Sequence, residues 1–412
     1  MIQTRCRHFN GYKPCGKNKV CSNLCPHVDL LKSSVLIIHL GALGAVVRST
    51  ALLKALHEKY PRAQVTWVTE APADQILRGH PQIDRVFTLS PRDLLQLSAL
   101  EFDVALVIDK SLIAAGLLEQ VKVSKVYGFG VDAKTGGTRP LNRAAVELWE
   151  LGLDNEKKFF KNQKSEIQLV HEALELKWFP DNEYDLPLAL KEDGLRAERH
   201  QRWQVELDQP VIGLNTGCSD VIPSKKWTVE THRQVIRSLL ARGYRNLVLL
   251  GGPEDRERNL LIAQGLPVFP SPTDMGLRDG LVSVAACDLV ITGDSLGMHM
   301  AISQKKYITA WFGPTCAQEI ELYGRGDKVL TKAPCAPCWK RSCGEKKMCY
   351  DQVDLSQVME SVEKGRRQWN LQQDQLKQHQ PKDQVDPRLS SFISDDLPEF
   401  SSSRRPFSET SY

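Results

Sequence analysis

No apolar run in this chain of 412 residues approaches the roughly 20 needed to cross a bilayer. The opening stretch MIQTRCRHFNGYKPCGKNKVC lacks the apolar centre of a signal peptide, so a cytosolic protein is expected. Neither sign of charge is in excess. The 54 basic residues against 50 acidic ones leave a net charge of only +4, too little for a global field that would gather nucleic acid. No short tandem repeat is visible. Cysteine is nearly missing from the middle of the chain, where only Cys218, Cys287 and Cys316 occur. The other eight lie at the two ends: Cys6, Cys15, Cys21 and Cys25, then Cys335, Cys338, Cys343 and Cys349. In a reducing compartment such clusters point to metal ligands more than to disulfides.

What is present is a regular alternation. SVLIIHL (34–40), AQVTWVTE (63–70), IDRVFTL and FDVALVID (102–109) read as strands, separated by helix-length amphipathic segments such as AVVRSTALLKALHEKY. Residues 140–180 read as mainly helical. The pattern then restarts: PVIGLNTG (210–217), NLVLLGG, DLVITGD and KYITAWFG are strands, again with helices between them. Strands alternating with helices predict a parallel sheet covered on both faces. The expected fold is therefore α/β, with two Rossmann-like doubly wound domains facing a cleft. The expected boundaries are a Cys-rich segment at 1–33, an N-terminal domain at 34–185 and a C-terminal domain at 186–362. The join falls in DNEYDLPLALKEDGLR (181–196), where the periodicity breaks. Residues 363–412 are glutamine- and serine-rich and predict a disordered polar tail.

In open α/β sheets ligands bind beyond the carboxyl ends of the strands. NTGCSDVIPSKKWT, GGPEDRE and TGDSLGMH each follow a strand of the second half. The last opens a helix, where free N–H groups and the dipole favour a phosphate. Asp294 and Ser295 serve equally well as a helix cap, His299 as a packed core residue, and Lys225 and Lys226 as a solvated pair. Taken together at one sheet edge, these residues predict a nucleotide diphosphate site.

LGALG, WVTE, NTG…KKW, LLGGPEDRE, GDSLGMHMA and WFGPT occur in an order and spacing that resemble glycosyltransferase family 9, the ADP-heptose:lipopolysaccharide heptosyltransferases, over nearly all of residues 34–362. The resemblance implies a GT-B type fold, with the acceptor on the first domain and the ADP-sugar on the second. It implies that Thr216 and Lys225 hold the diphosphate, and that Asp294, Ser295, Gly297 and His299 surround the diphosphate and sugar. Leu296 and Gly297 here replace the usual Gly-Pro order. Met275 matches the adenine pocket, and Glu254 or Asp255 the acid on the ribose hydroxyls. Gly41 and Gly44 would let the backbone approach the cleft. The residue after the second glycine is usually the aspartate that deprotonates the acceptor. Here it is Ala45, and a methyl group cannot act as a base.

Asp109 and Glu70, each at a strand's carboxyl end, are the candidate replacement bases. The bland roles for the two are an ion pair with Lys110 and a helix cap. The expected activity is inverting transfer of a heptose or related sugar from an ADP-sugar to a lipopolysaccharide core-type acceptor or other cell-envelope glycan. A sugar-nucleotide-binding protein without catalysis is the alternative that Ala45 favours. Catalysis would require no metal. CAPCWKRSCGEKKMC places Cys335, Cys338, Cys343 and Cys349 close enough for one structural zinc site. CRHFNGYKPCGKNKVCSNLC adds four more thiols and has His8 and, just beyond it, His27. An iron–sulfur cluster fits such density equally well, and a metal or redox sensor on a transferase scaffold is the third functional reading. Lys340, Arg341, Lys346 and Lys347 would suit an anionic acceptor or peripheral contact with the inner membrane.

Overall fold

The computed structural model describes residues 4–379. Its first sheet contains β1 (Ser33–Ile38), β2 (Ala63–Val68), β3 (Arg85–Phe87), β4 (Glu101–Val107), β5 (Lys122–Val131) and β6 (Thr138–Pro140). Their spatial order is β3-β2-β1-β4-β5-β6. All neighbours are parallel except β6, which runs antiparallel to β5. The second sheet contains β7 (Ile212–Asn215), β8 (Leu247–Leu250), β9 (Phe269–Pro270), β10 (Leu289–Gly293), β11 (Tyr307–Phe312) and β12 (Gly326–Leu330). It is parallel throughout, in the order β12-β11-β10-β7-β8-β9. In each sheet the chain starts near the middle and winds outward to both sides. That is the doubly wound arrangement expected from the alternation, and it leaves a crevice at the carboxyl ends where the winding reverses.

The central strands are buried on both faces, as near-continuous apolar runs require. Val35, Leu36, Ile37 and Ile38 of β1 are inaccessible to solvent, and their register against Val104–Val107 puts the ends of β1 and β4 side by side. In the second half Trp227 stacks on Trp311 with ring centroids 4.9 Å apart.

Three expectations change. Residues 140–180 are not a run of ordinary helix: they include the end of β6, a 3-10 turn, a π-helical turn at Lys157–Lys161 and two short α-helices. The join contains structure, since a helix occupies Leu190–Arg202. The tail reading fails for residues 363–379, because a single helix spans Leu355–His379. Glutamine is a good helix former, and Val358, Met359, Val362 and Trp369 repeat at helical spacing against the second-half core. The rest of that reading, residues 380–412, lies outside the described residues. Truncation after Arg366 removes the half-buried Trp369 and should cost about 2 kcal/mol. The expected result is a melting temperature several degrees below that of a chain ending at His379.

Candidate functional site

The end of β1 is flanked by two acids. The N–H of Leu40 donates to the Asp109 carboxylate, and the N–H of Glu70 donates to the Leu40 carbonyl at 2.9 Å. Burial pushes Asp109 up to about 6 and nearby Glu70 adds to the rise, against the opposing bond from Leu40. Neither bland role occurs. Lys110 turns away, donating to the Leu148 carbonyl at 3.1 Å and lying over the Phe129 ring. The helix after Glu70 has Pro72 at its N-cap, with no side-chain cap. The Glu70 side chain is exposed.

The helix Leu43–Ser49 begins directly after the glycine turn. A Cβ on Gly44 would lie 2.5 Å from the imidazole of His299, whereas the space beyond Gly41 is open. Gly44 therefore has a packing reason: it admits a ring from the second half against the first. Ala45, in the helix's first turn, carries no group able to take a proton.

At the end of β10, Lys225 Nζ lies 3.5 Å from Asp294 Oδ2, both side chains mostly shielded from solvent. Burial alone would raise Asp294, but Lys225 foremost outweighs it and the carboxyl stays below its usual range. Ser295 takes the capping role, accepting from the N–H of Met298 at the start of the helix Leu296–Ser303. Asp294 is thus left free of the cap. Asn215 donates to Ser295 Oγ at 3.0 Å, and Gly297 lets that amide lie close, since a Cβ there would meet Asn215 Oδ1 at 2.5 Å. His299 is buried and stacks on Tyr184. Burial and then the Arg48 guanidinium push it down to about 3, so it is neutral. Its Nδ1 has no protein partner.

The remaining predicted residues separate. The Thr216 hydroxyl is fully buried, 3.1 Å from the Leu250 carbonyl and 2.5 Å from Asn259 Oδ1. That hydroxyl, like the Thr216 N–H, is already engaged inside the fold. Asp255 is buried and accepts from the N–H of Gly252 at 3.0 Å, while Glu254 is exposed. Of the two alternatives, Glu254 is the one available to a ligand. Met275 is 67% exposed, on the surface rather than in a formed pocket.

Sequence reasoning missed a charged network between the two halves. Arg48, one turn beyond Gly44, is buried and pairs with Glu166 at 2.7 Å. Glu319 lies 3.6 Å from Lys158. Burial, then the charge of Glu166, lifts Glu319 to about 7 against the pull of Lys158 and Arg48. The available signal was spacing: Arg48 is four residues after Gly44 and so lies on the same helical face. Between the ordinary glutamate range and about 7 the folded state binds the extra proton, so this group's contribution to stability falls as pH rises. Buried His39, His232 and His299, all lowered, act in the opposite direction. The readout is therefore a difference. Glu319→Gln should gain stability relative to the parent between about pH 5 and about pH 8, measured as melting temperatures across that range.

Cys349 is buried, Cys338 half-buried, and Cys335 and Cys343 exposed. Burial lifts the Cys349 thiol to about 11, and Cys338, Cys343 and Cys335 are near enough to add to the rise. The four side chains thus share one neighbourhood. As they stand, no three Cys, His, Asp or Glu side chains among the described residues are gathered closely enough to hold an ion. Lys340, Arg341, Lys346 and Lys347 are exposed around them. Among the described residues no helix is long and apolar enough to cross a membrane.

The family model described as glycosyltransferase family 9 (heptosyltransferase) matches residues 94–349. Among known proteins, the chain is 21% identical over 300 residues to lipopolysaccharide heptosyltransferase 2 of Escherichia coli (strain K12), covering 68% of this chain and 83% of that one. Among solved structures, it is similar to the glycosyl transferase family 9 protein from Veillonella parvula DSM 2008, with a TM-score of 0.65 at 18% identity, covering 83% of this chain and 99% of that one. It is also similar to E. coli ADP-heptose lps heptosyltransferase II, with a TM-score of 0.54 at 17% identity, covering 79% and 98%. At such identities the structural likeness carries the fold alone.

Proposed function

The chain belongs to glycosyltransferase family 9, and from that premise we propose that it transfers a heptose or related sugar from an ADP-sugar to a lipopolysaccharide core-type acceptor, with inversion. The observation that carries this reading is the placement of Lys225, Asp294 and His299 at the end of β10, packed through His299 onto the glycine turn of the first half. Charge grows on the diphosphate as its bond to the anomeric carbon breaks. Lys225 and the N-terminus of the helix Leu296–Ser303 oppose that charge, an electrostatic form of catalysis that needs no metal. Glu254 takes the ribose hydroxyls, and the exposed Met275 closes on the adenine. Thr216, whose N–H and hydroxyl are both engaged inside the fold, supports the loop from behind. Ser295 and Gly297 shape the loop. The acceptor hydroxyl attacks the anomeric carbon and gives its proton to Asp109, with Glu70 as the second candidate.

The acceptor would be met at the cytoplasmic face of the inner membrane, where the exposed basic residues beside Cys343 suit anionic head groups. Cys335, Cys338, Cys343 and Cys349 are proposed as the ligands of a structural metal, for which their common neighbourhood is the support. Ala45 favours a second reading, a protein that binds the sugar nucleotide without turning it over. Incubation of the purified chain with ADP-heptose and a cell-envelope extract distinguishes them. Release of ADP with a product of inverted anomeric configuration is expected. ADP binding without any glycosylated acceptor would transfer the case to the binding protein.

A further inference from the structure

Residues 4–32 form a loop with no helix, tied at both ends to the edge of the first sheet. Cys6 bridges to Leu30, and the N–H of Arg7 donates to the Asp29 carbonyl at 2.8 Å. The Arg7 guanidinium pairs with Asp29 at 3.2 Å and with Asp84, and donates to the Ala63 carbonyl at 2.8 Å. Between these ties large apolar side chains face solvent. Tyr12, Val20 and Leu24 are 85%, 64% and 92% exposed. Cys6, Cys21 and Cys25, half-buried, and Cys15, exposed, line with His8 and His27 a cavity of about 20 Å³. A loop of this length that exposes its larger apolar residues has no hydrophobic core to order it, and small folds of that kind depend on a metal or a disulfide. All four cysteines are free.

We propose that this loop is a metal-nucleated element holding one thiolate-bound divalent cation, zinc, on Cys6, Cys15, Cys21 and Cys25. The proposal is independent of the transferase reading and of the second cysteine cluster. Cavity size suits a single ion, since about 20 Å³ is of the order of one water-sized occupant. Thiols are the better ligands because His8 Nε2 already lies 3.1 Å from the Lys17 ammonium. The Asn18 amide points an N–H at Cys25 Sγ, 3.7 Å away, the kind of outer contact that steadies a metal-bound thiolate. Four thiolates on a divalent ion carry two net negative charges, and Lys13, Lys17 and Lys19 lie exposed around them. The thiols do not yet meet at one point. Binding therefore has to draw the loop inward, which couples metal affinity to its ordering.

The test uses the full chain purified anaerobically with zinc, compared with a Cys15→Ser, Cys21→Ser double variant. Elemental analysis should find one zinc equivalent fewer in the variant. In the parent, a strong chelator should speed tryptic cleavage after Lys17 and Lys19 by about tenfold or more, because an unligated loop opens freely. This second measurement needs no mutation and reads only this loop, so neither misfolding of the variant nor metal at the C-terminal cysteines obscures it. Equal zinc in parent and variant, cleavage indifferent to chelator, or stoichiometric acid-labile sulfide lost with these cysteines would each overturn the proposal.

Discussion

Asp109→Asn should lower turnover by about 10²–10⁴-fold, the usual contribution of a positioned general base, while ADP affinity stays unchanged. The substitution is a clean one. Asp109 accepts the Leu40 N–H through one carboxylate oxygen, and the asparagine amide retains an oxygen for that bond. What is lost is the ability to take a proton. The parent carboxyl, held up at about 6 by burial and by Glu70, is a stronger base than an ordinary aspartate and is still largely ionised at neutral pH. Activity of the parent should therefore rise through about pH 6 and level off, and the variant's residual activity should lack that step. Glu70→Gln is the comparison: its side chain is exposed and makes no cap, so a loss confined to it would move the role from one side of Leu40 to the other. Ala45→Asp offers the converse, a carboxylate placed in the first helical turn, and a rate gain there would show that the glycine turn still addresses the acceptor. Parental rates in both Asp109→Asn and Glu70→Gln would mean that neither acid supplies the base.

The doubly wound halves are legible in the sequence because their central strands are buried on both faces and read as unbroken apolar runs. The strands that escape sequence reading are those for which this is untrue. β5 begins with Lys122, Ser124 and Lys125, largely exposed. β12 is a half-exposed edge strand, GDKVL. β9 is only two residues long. Polar edge strands guard a sheet against pairing with other chains, and the same composition hides them from a periodicity argument. The helix through residue 379 escapes for a related reason: glutamine-rich sequence looks solvated, and only Val358, Val362 and Trp369, taken together, reveal the buried stripe.

In the site, motif order was legible but the role of each atom was not. Asp294 and Ser295 are adjacent, and either can cap a helix. Only coordinates separate the cap, Ser295, from the ion pair of Asp294 with Lys225. Asp255 and Glu254 divide in the same way into a buried acceptor for Gly252 and a free acid. Arg48, Glu166 and Glu319 are brought together from segments far apart in the chain, and no local spacing announces such a cluster.

Lys225→Ala should weaken ADP binding about 10- to 150-fold, the effect of losing a charge-assisted contact of about 1.5–3 kcal/mol. Two separate effects add to this loss. One is the missing ammonium, which in the free protein lies 3.5 Å from Asp294 and can turn to a diphosphate at small cost. The other is the carboxylate left behind. Lys225 is the main group holding Asp294 below its usual range against burial, and without it an unpaired anion faces an anionic ligand. Asp294→Asn in the Lys225→Ala background removes that second effect. The double variant should therefore bind ADP more tightly than Lys225→Ala alone, yet more weakly than the parent. A thermodynamic cycle over the four proteins by calorimetry yields the coupling directly. Strict additivity would mean that Lys225 and Asp294 act on the ligand independently. Unchanged ADP affinity in Lys225→Ala, or clear preference of the parent for UDP, would remove Lys225 from the donor site and with it the diphosphate assignment at the end of β10.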